Sequence, residues 1–120
     1  MPTLAKIVVA VVALLHLWFL VLEMFLWTKP LGRRVFRTTP EFAAASATLA
    51  ANQGLYNGFL AAGLLWGLAL GDGGRAVIFF FLACVAVAGI FGAVTVNRRI
   101  LWVQALPAAL GIALLWLAPS

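Results

Sequence analysis

Six polar side chains stand out in an otherwise apolar chain: His16, Glu23, Asn52, Gln53, Tyr56 and Asn57. A carboxyl and an imidazole can each carry a proton. Amides and a phenol can donate and accept hydrogen bonds to orient a ligand or stabilise developing charge. At 100° per residue, His16, Glu23 and Trp27 fall on one narrow helical face with Leu20 between them. His16 and Glu23 are two turns apart, about 10 Å along the axis, so joint action needs a bridging group. Asn52, Gln53, Tyr56 and Asn57 cover an arc of about 140° on a second helix. Gly54 and Gly58 lie on its other side, a small-xxx-small pair suited to close helix approach. An unpaired amide is costly in hydrocarbon, so the stretch from Ala51 to Gly58 is expected to face protein, water or a ligand rather than lipid.

The elements that must position these groups follow from composition. Of 120 residues, 66% are hydrophobic and 9% charged. Soluble domains carry about a quarter charged residues, so soluble globular and disordered classes are excluded and an all-α integral membrane bundle is predicted. The net charge of +5 comes from basic residues grouped in short connections. That grouping points to membrane topology, with no nucleic-acid partner. The single cysteine, Cys84, excludes an intrachain disulfide and a Cys-rich metal site. One His and one nearby Glu are too few ligands for an ordinary zinc site, and no metal or other cofactor is predicted.

Four transmembrane helices are predicted within a single domain, over about 4–27, 41–70, 75–96 and 100–118. The first run carries Lys6, His16 and Glu23, is longer than a signal-peptide core and lacks a small-residue cleavage site, so it reads as a retained span. Pro30 and Gly32 are expected to end it, leaving 28–40 as a polar loop. Thr39-Pro40-Glu41 then reads as cap, first helical residue and dipole-matched acid of the second helix. Gly71-Asp72-Gly73-Gly74 and Asn97-Arg98-Arg99 read as tight turns. Short connections imply antiparallel neighbours and a four-helix bundle. Loops 28–40 and 97–99 hold Lys29, Arg33, Arg34, Arg37, Arg98 and Arg99, which places them in the cytoplasm and both termini outside.

With Trp27 and Glu41 taken as the level ends of the first two helices, His16, Asn52 and Gln53 should share one layer. Glu23 should sit lower, near Ser46 and Thr48, and Asn57 higher, giving a polar stripe between the helices. Gln104 would join Glu23 if the fourth helix packs beside the first. Plainer roles exist for each group: Glu23 paired with a loop arginine at the interface, His16 bridging helices, the amides as helix glue. Trp27, Trp102 and Trp116 read as interfacial anchors, while Trp18 and Trp66 could line a pocket.

The pattern His16…Glu23-Met24-Phe25…Trp27, then Pro40-Glu41-Phe42, then Asn52-Gln53-Gly54-Leu55-Tyr56-Asn57-Gly58-Phe59-Leu60-Ala61-Ala62-Gly63 resembles the bacterial family known as domain of unknown function 1304. The resemblance covers essentially the whole chain, and the Asn-Gln-Gly-x-Tyr-Asn-Gly segment is its most specific part. It implies a small four-helix protein of the bacterial inner membrane and supplies no activity or catalytic residue.

The leading expectation is a protein that binds or transports a small molecule or lipid through the polar stripe, coupled to protons by Glu23 and His16. One four-helix chain encloses little room, so a pathway would require a parallel homo-oligomer. The alternatives are an intramembrane enzyme performing acid/base chemistry on a lipophilic substrate, and a structural partner in a membrane complex.

Overall fold

The structure, a computed structural model, describes residues 1–118, and every regular element among them is helical. Helix α1 (Thr3–Met24) is followed by the short α2 (Pro30–Phe36) and the long α3 (Pro40–Ala69). A 3-10 turn (Gly71–Gly74) leads into α4 (Arg75–Thr95), and a π-helical turn (Leu101–Ala105) leads into α5 (Leu106–Leu117). Two segments, Thr3–Met24 and Gly71–Thr95, are long and apolar enough to cross a membrane, and Leu101–Leu117 is apolar but shorter. In α3 the amides and glycines of its middle dilute an otherwise apolar 30-residue helix.

Three boundaries differ from the sequence reading. Helix α1 stops at Met24 rather than Trp27. The 28–40 segment is not simply a loop, because Pro30 occupies the first turn of α2 instead of merely terminating α1. Proline suits that position, where its missing N–H removes no hydrogen bond. The last segment is not one regular α-helix either. Pro107 has no N–H to give the preceding turn and crowds the carbonyl four residues back. The backbone widens just upstream, where the Leu106 N–H reaches the Leu101 carbonyl, five residues away. Helix α3 begins where Thr39 caps it: Thr39 Oγ1 accepts from the Phe42 N–H at 3.1 Å.

The chain forms two compact units. One combines Met1–Leu14 with the described residues from Leu60 onward. Its core draws Ala5, Val9, Val12 and Ala13 from α1, Leu64 from α3, Ile78, Leu82 and Val85 from α4, and Ala108 and Leu115 from α5. Glycine allows close approach at the far end of α4, where a Cβ on Gly89 would stand 2.5 Å from the Ala105 backbone nitrogen. At the other end, Arg75 donates to the Leu115 carbonyl and lies over the Phe79 ring, 5.2 Å from its centroid. The Met1 ammonium meets Asp72 at 2.7 Å on the surface.

The second unit is Leu15–Phe59: the end of α1, α2, and the first twenty residues of α3. A Cβ on Gly32 would lie 1.9 Å from the Leu26 carbonyl oxygen, so α2 can seat against the 26–27 backbone only with glycine there.

Gly89→Ala forces a methyl group into the Ala105 backbone, whereas Gly73 has nothing within 4 Å of its would-be Cβ. Thermal unfolding in detergent should therefore show Gly89→Ala destabilised by about 1–3 kcal/mol and Gly73→Ala unchanged or slightly stabilised. Equal behaviour of the two would contradict the close α4–π-turn packing.

Candidate functional site

All six candidate residues lie in the Leu15–Phe59 unit. The seam between α1 and α3 is built on small residues. Ala43, Ala50, Gly54 and Asn57 are the buried positions of this part of α3, and their spacing of seven, four and three keeps them on one helical stripe. A Cβ on Gly54 would stand 2.7 Å from Met24 Cγ, 3.1 Å from Glu23 Cβ and 3.3 Å from the Leu20 carbonyl oxygen. One on Gly58 would stand 2.7 Å from Leu20 Cδ1. The two glycines thus bring the α3 backbone directly onto the Leu20–Met24 turn of α1.

That approach sets the polar contacts. Asn57, only 5% exposed, donates from Nδ2 to Glu23 Oε1 at 2.5 Å. The Asn57 amide can serve this half-buried acid in either protonation state, because a carboxyl oxygen accepts whether or not the group is ionised. Lower in the same unit, Trp27 Nε1–H donates to Ser46 Oγ at 3.1 Å, and Ser46 Oγ–H donates back to the Phe42 carbonyl at 2.7 Å. The Trp27 indole also lies against Phe36 of α2, with ring centroids 4.9 Å apart. His16 is fully buried and meets the Phe19 ring edge-on at 5.1 Å.

This arrangement differs from the sequence expectation in face and in level. The glycines, not the bulk of the amides, turn toward α1. Asn52, Gln53 and Tyr56 are exposed on the outer side of α3, Tyr56 by 54%. Asn57 is the member of the arc nearest the glycine stripe and the one drawn into the seam. The level shifts because α3 extends well past the end of α1, so Glu23 is opposite Asn57 rather than Ser46 and Thr48. In this antiparallel pair, His16 lies seven residues from Glu23 one way and Asn52 five residues from Asn57 the other way. The axial offset between His16 and Asn52 is therefore about 18 Å. Glu23 takes an amide partner rather than a loop arginine. Trp18 and Trp66 are exposed. No group of three or more His, Cys, Asp or Glu side chains able to hold a metal occurs among the described residues.

A sequence model of the family described as protein of unknown function (DUF1304) matches residues 10–116. The chain belongs to the DUF1304 family. It is also similar to the uncharacterized protein YpaA of Lactococcus lactis subsp. lactis (strain IL1403). That match is 29% identical over 122 residues and covers 100% of this chain and 98% of YpaA. No solved structure matches the chain. Membership of DUF1304 brings no named activity, so the chemistry of the site rests on the residues themselves.

What the site offers chemically is a carboxyl that can gain or lose a proton while an amide holds its position. Gly54 and Gly58, rather than a catalytic motif, are the residues that make this possible. Their signal was present in the four-residue spacing.

Replacing Asn57 by Leu leaves the Glu23 carboxyl without its partner and should cost about 1–3 kcal/mol in detergent unfolding. Tyr56→Phe, at an exposed position, should stay within about 0.5 kcal/mol of wild type. A neutral Asn57→Leu would contradict the pairing.

Proposed function

We propose that this DUF1304 chain is a four-span protein of the bacterial inner membrane that binds, and in an oligomer transports, a small molecule at the polar surface of α3. Proton coupling in this reading comes from Glu23, held by Asn57, with His16 on the same helix. The spans are α1, α3, α4 and residues 101–117, with loops 28–40 and 97–99 cytoplasmic. The strong bias of basic residues toward those connections supports the orientation.

The observation that carries the reading is the hydrogen bond of Asn57 to Glu23 inside an otherwise apolar helix seam. An ionisable residue at membrane depth is expensive and is kept chiefly where it handles protons, ions or substrate. The exposed Asn52, Gln53 and Tyr56 extend the polar surface outward from that seam. In hydrocarbon their donors and acceptors need partners, which a bound polar molecule supplies.

The same exposed amides favour a second reading, in which α3 docks on another copy or another membrane protein and the amides serve as helix glue. Native mass spectrometry of the detergent-solubilised chain separates the two. Binding predicts a retained small molecule in wild type that is lost in Asn52→Ala with oligomeric state unchanged. Docking predicts no adduct and a lower oligomeric state, or loss of the partner, in Asn52→Ala. A protein with no adduct and the same oligomeric state in both forms would contradict both.

A further inference from the structure

The chain has three acidic residues, and two of them have ordinary surroundings. Asp72 meets the Met1 ammonium on the surface. Glu41 stands in the first turn of α3, where the helix dipole favours a negative charge. Glu23 is different. Its partner Asn57 lies about 25 Å along α3 from Pro40 and about 18 Å from Ala69, so the carboxyl meets the middle of that helix. Helix α3 contains no Lys or Arg, and α1 contains none beyond Lys6. Among the described residues no cation pairs with Glu23, whose side-chain partner is the neutral Asn57 amide.

The carboxyl is also reachable. Asn57 occupies Oε1 and leaves Oε2 for another partner. Among the described residues, the buried side-chain polar atoms without a hydrogen-bond partner are Arg33 Nε and Thr38 Oγ1. Glu23 Oε2 is not one of them, and Glu23 is only half-buried, so this oxygen has an open side. On the α3 projection Gln53 stands about 40° beyond Asn57, away from Gly54, and Tyr56 about 100° beyond it. Both are exposed, so a polar edge continues from Asn57 out of the seam. On α1 the residues one turn before Glu23 are the apolar Phe19 and Leu20.

These features select a charge. A carboxylate in an apolar seam, held by one neutral amide, is incompletely compensated, and either a proton or a bound cation completes it. An anionic ligand would bring a second negative charge to helices that offer no basic side chain to receive it. A cation with an apolar body suits both the carboxyl and its apolar neighbours. We propose that the molecule bound at α3 is an organic cation of this kind, and that Glu23 is its counter-charge. The carboxyl holds the proton or the cation, so uptake of the cation by the protonated site releases that proton to solvent. The assignment rests on the small-molecule reading above and adds the class of ligand to it.

The test is equilibrium dialysis of the full chain in non-ionic detergent, with protein-free micelles as the blank. The probes are benzyltrimethylammonium and tetraphenylphosphonium, each beside an isostere without the positive charge: neutral neopentylbenzene and anionic tetraphenylborate. At least one cation should bind saturably and roughly tenfold or more tightly than its isostere. Glu23→Gln removes the charge and keeps an acceptor for Asn57, and it should weaken cation binding by roughly tenfold or more. Glu23→Asp keeps the charge and should retain the preference for cations. Circular dichroism checks the helix content of both variants, and if Glu23→Gln does not fold, the comparison of probes on wild type decides. Isosteres that bind as well as the cations, or cation binding unchanged in folded Glu23→Gln, would overturn the assignment. Neither cation binding, while native mass spectrometry finds a small molecule lost in Asn52→Ala, would overturn the cation class and leave binding at α3 standing. Neither cation binding and no such adduct would overturn both.

Discussion

The close approach of α3 to α1 at Gly54 and Gly58 is the constraint on which the candidate site depends. With Leu20, Glu23 and Met24 within van der Waals reach of the glycine positions, the rotation and level of the two helices in this unit are fixed together. Asn57 flanks the glycine stripe, about 60° from Gly54 on the helical projection, so it is carried onto Glu23 without a separate device. A larger residue at Gly54 would push against Glu23 Cβ and the Leu20 carbonyl and undo the pairing along with the packing. The polar chemistry is therefore a consequence of backbone proximity rather than its cause.

Small residues play a similar part in the other unit, where Gly89 sits on the Ala105 backbone beside the π-helical turn. Where apolar side chains gain little by leaving an apolar solvent, close contact between small residues and satisfied hydrogen bonds carry more of the association. The Leu and Val residues of the four-helix core fill the volume around these contacts.

Much of this was legible from the sequence. The helical class follows from composition, the start of α3 from Thr39-Pro40-Glu41, and the importance of Gly54 and Gly58 from their spacing. The orientation of α3 was not legible, because four amide and phenol groups on one arc outweighed two glycines in any count of polarity. Side-chain counts do not register that two backbones gain more from contact than three solvent-facing groups lose. The level of the helices was hidden by α2: a basic, Pro- and Gly-containing stretch reads as a loop, yet Pro30 opens a helix and Gly32 seats it on Leu26. The π-helical turn had its cause in plain view at Pro107, but whether a proline kinks, widens or starts a helix depends on its neighbours.

The level of α1 against α3 is the claim most directly open to measurement. In a Cys84→Ala background, the pair Glu23→Cys/Asn57→Cys and the pair His16→Cys/Asn52→Cys can each be oxidised in membranes and read by intact mass and resistance to thiol alkylation. Efficient disulfide formation is expected for the 23/57 pair and none for 16/52, whose positions are separated by about 18 Å along the helix axes. Cross-linking of 16/52 with 23/57 remaining reduced would contradict it.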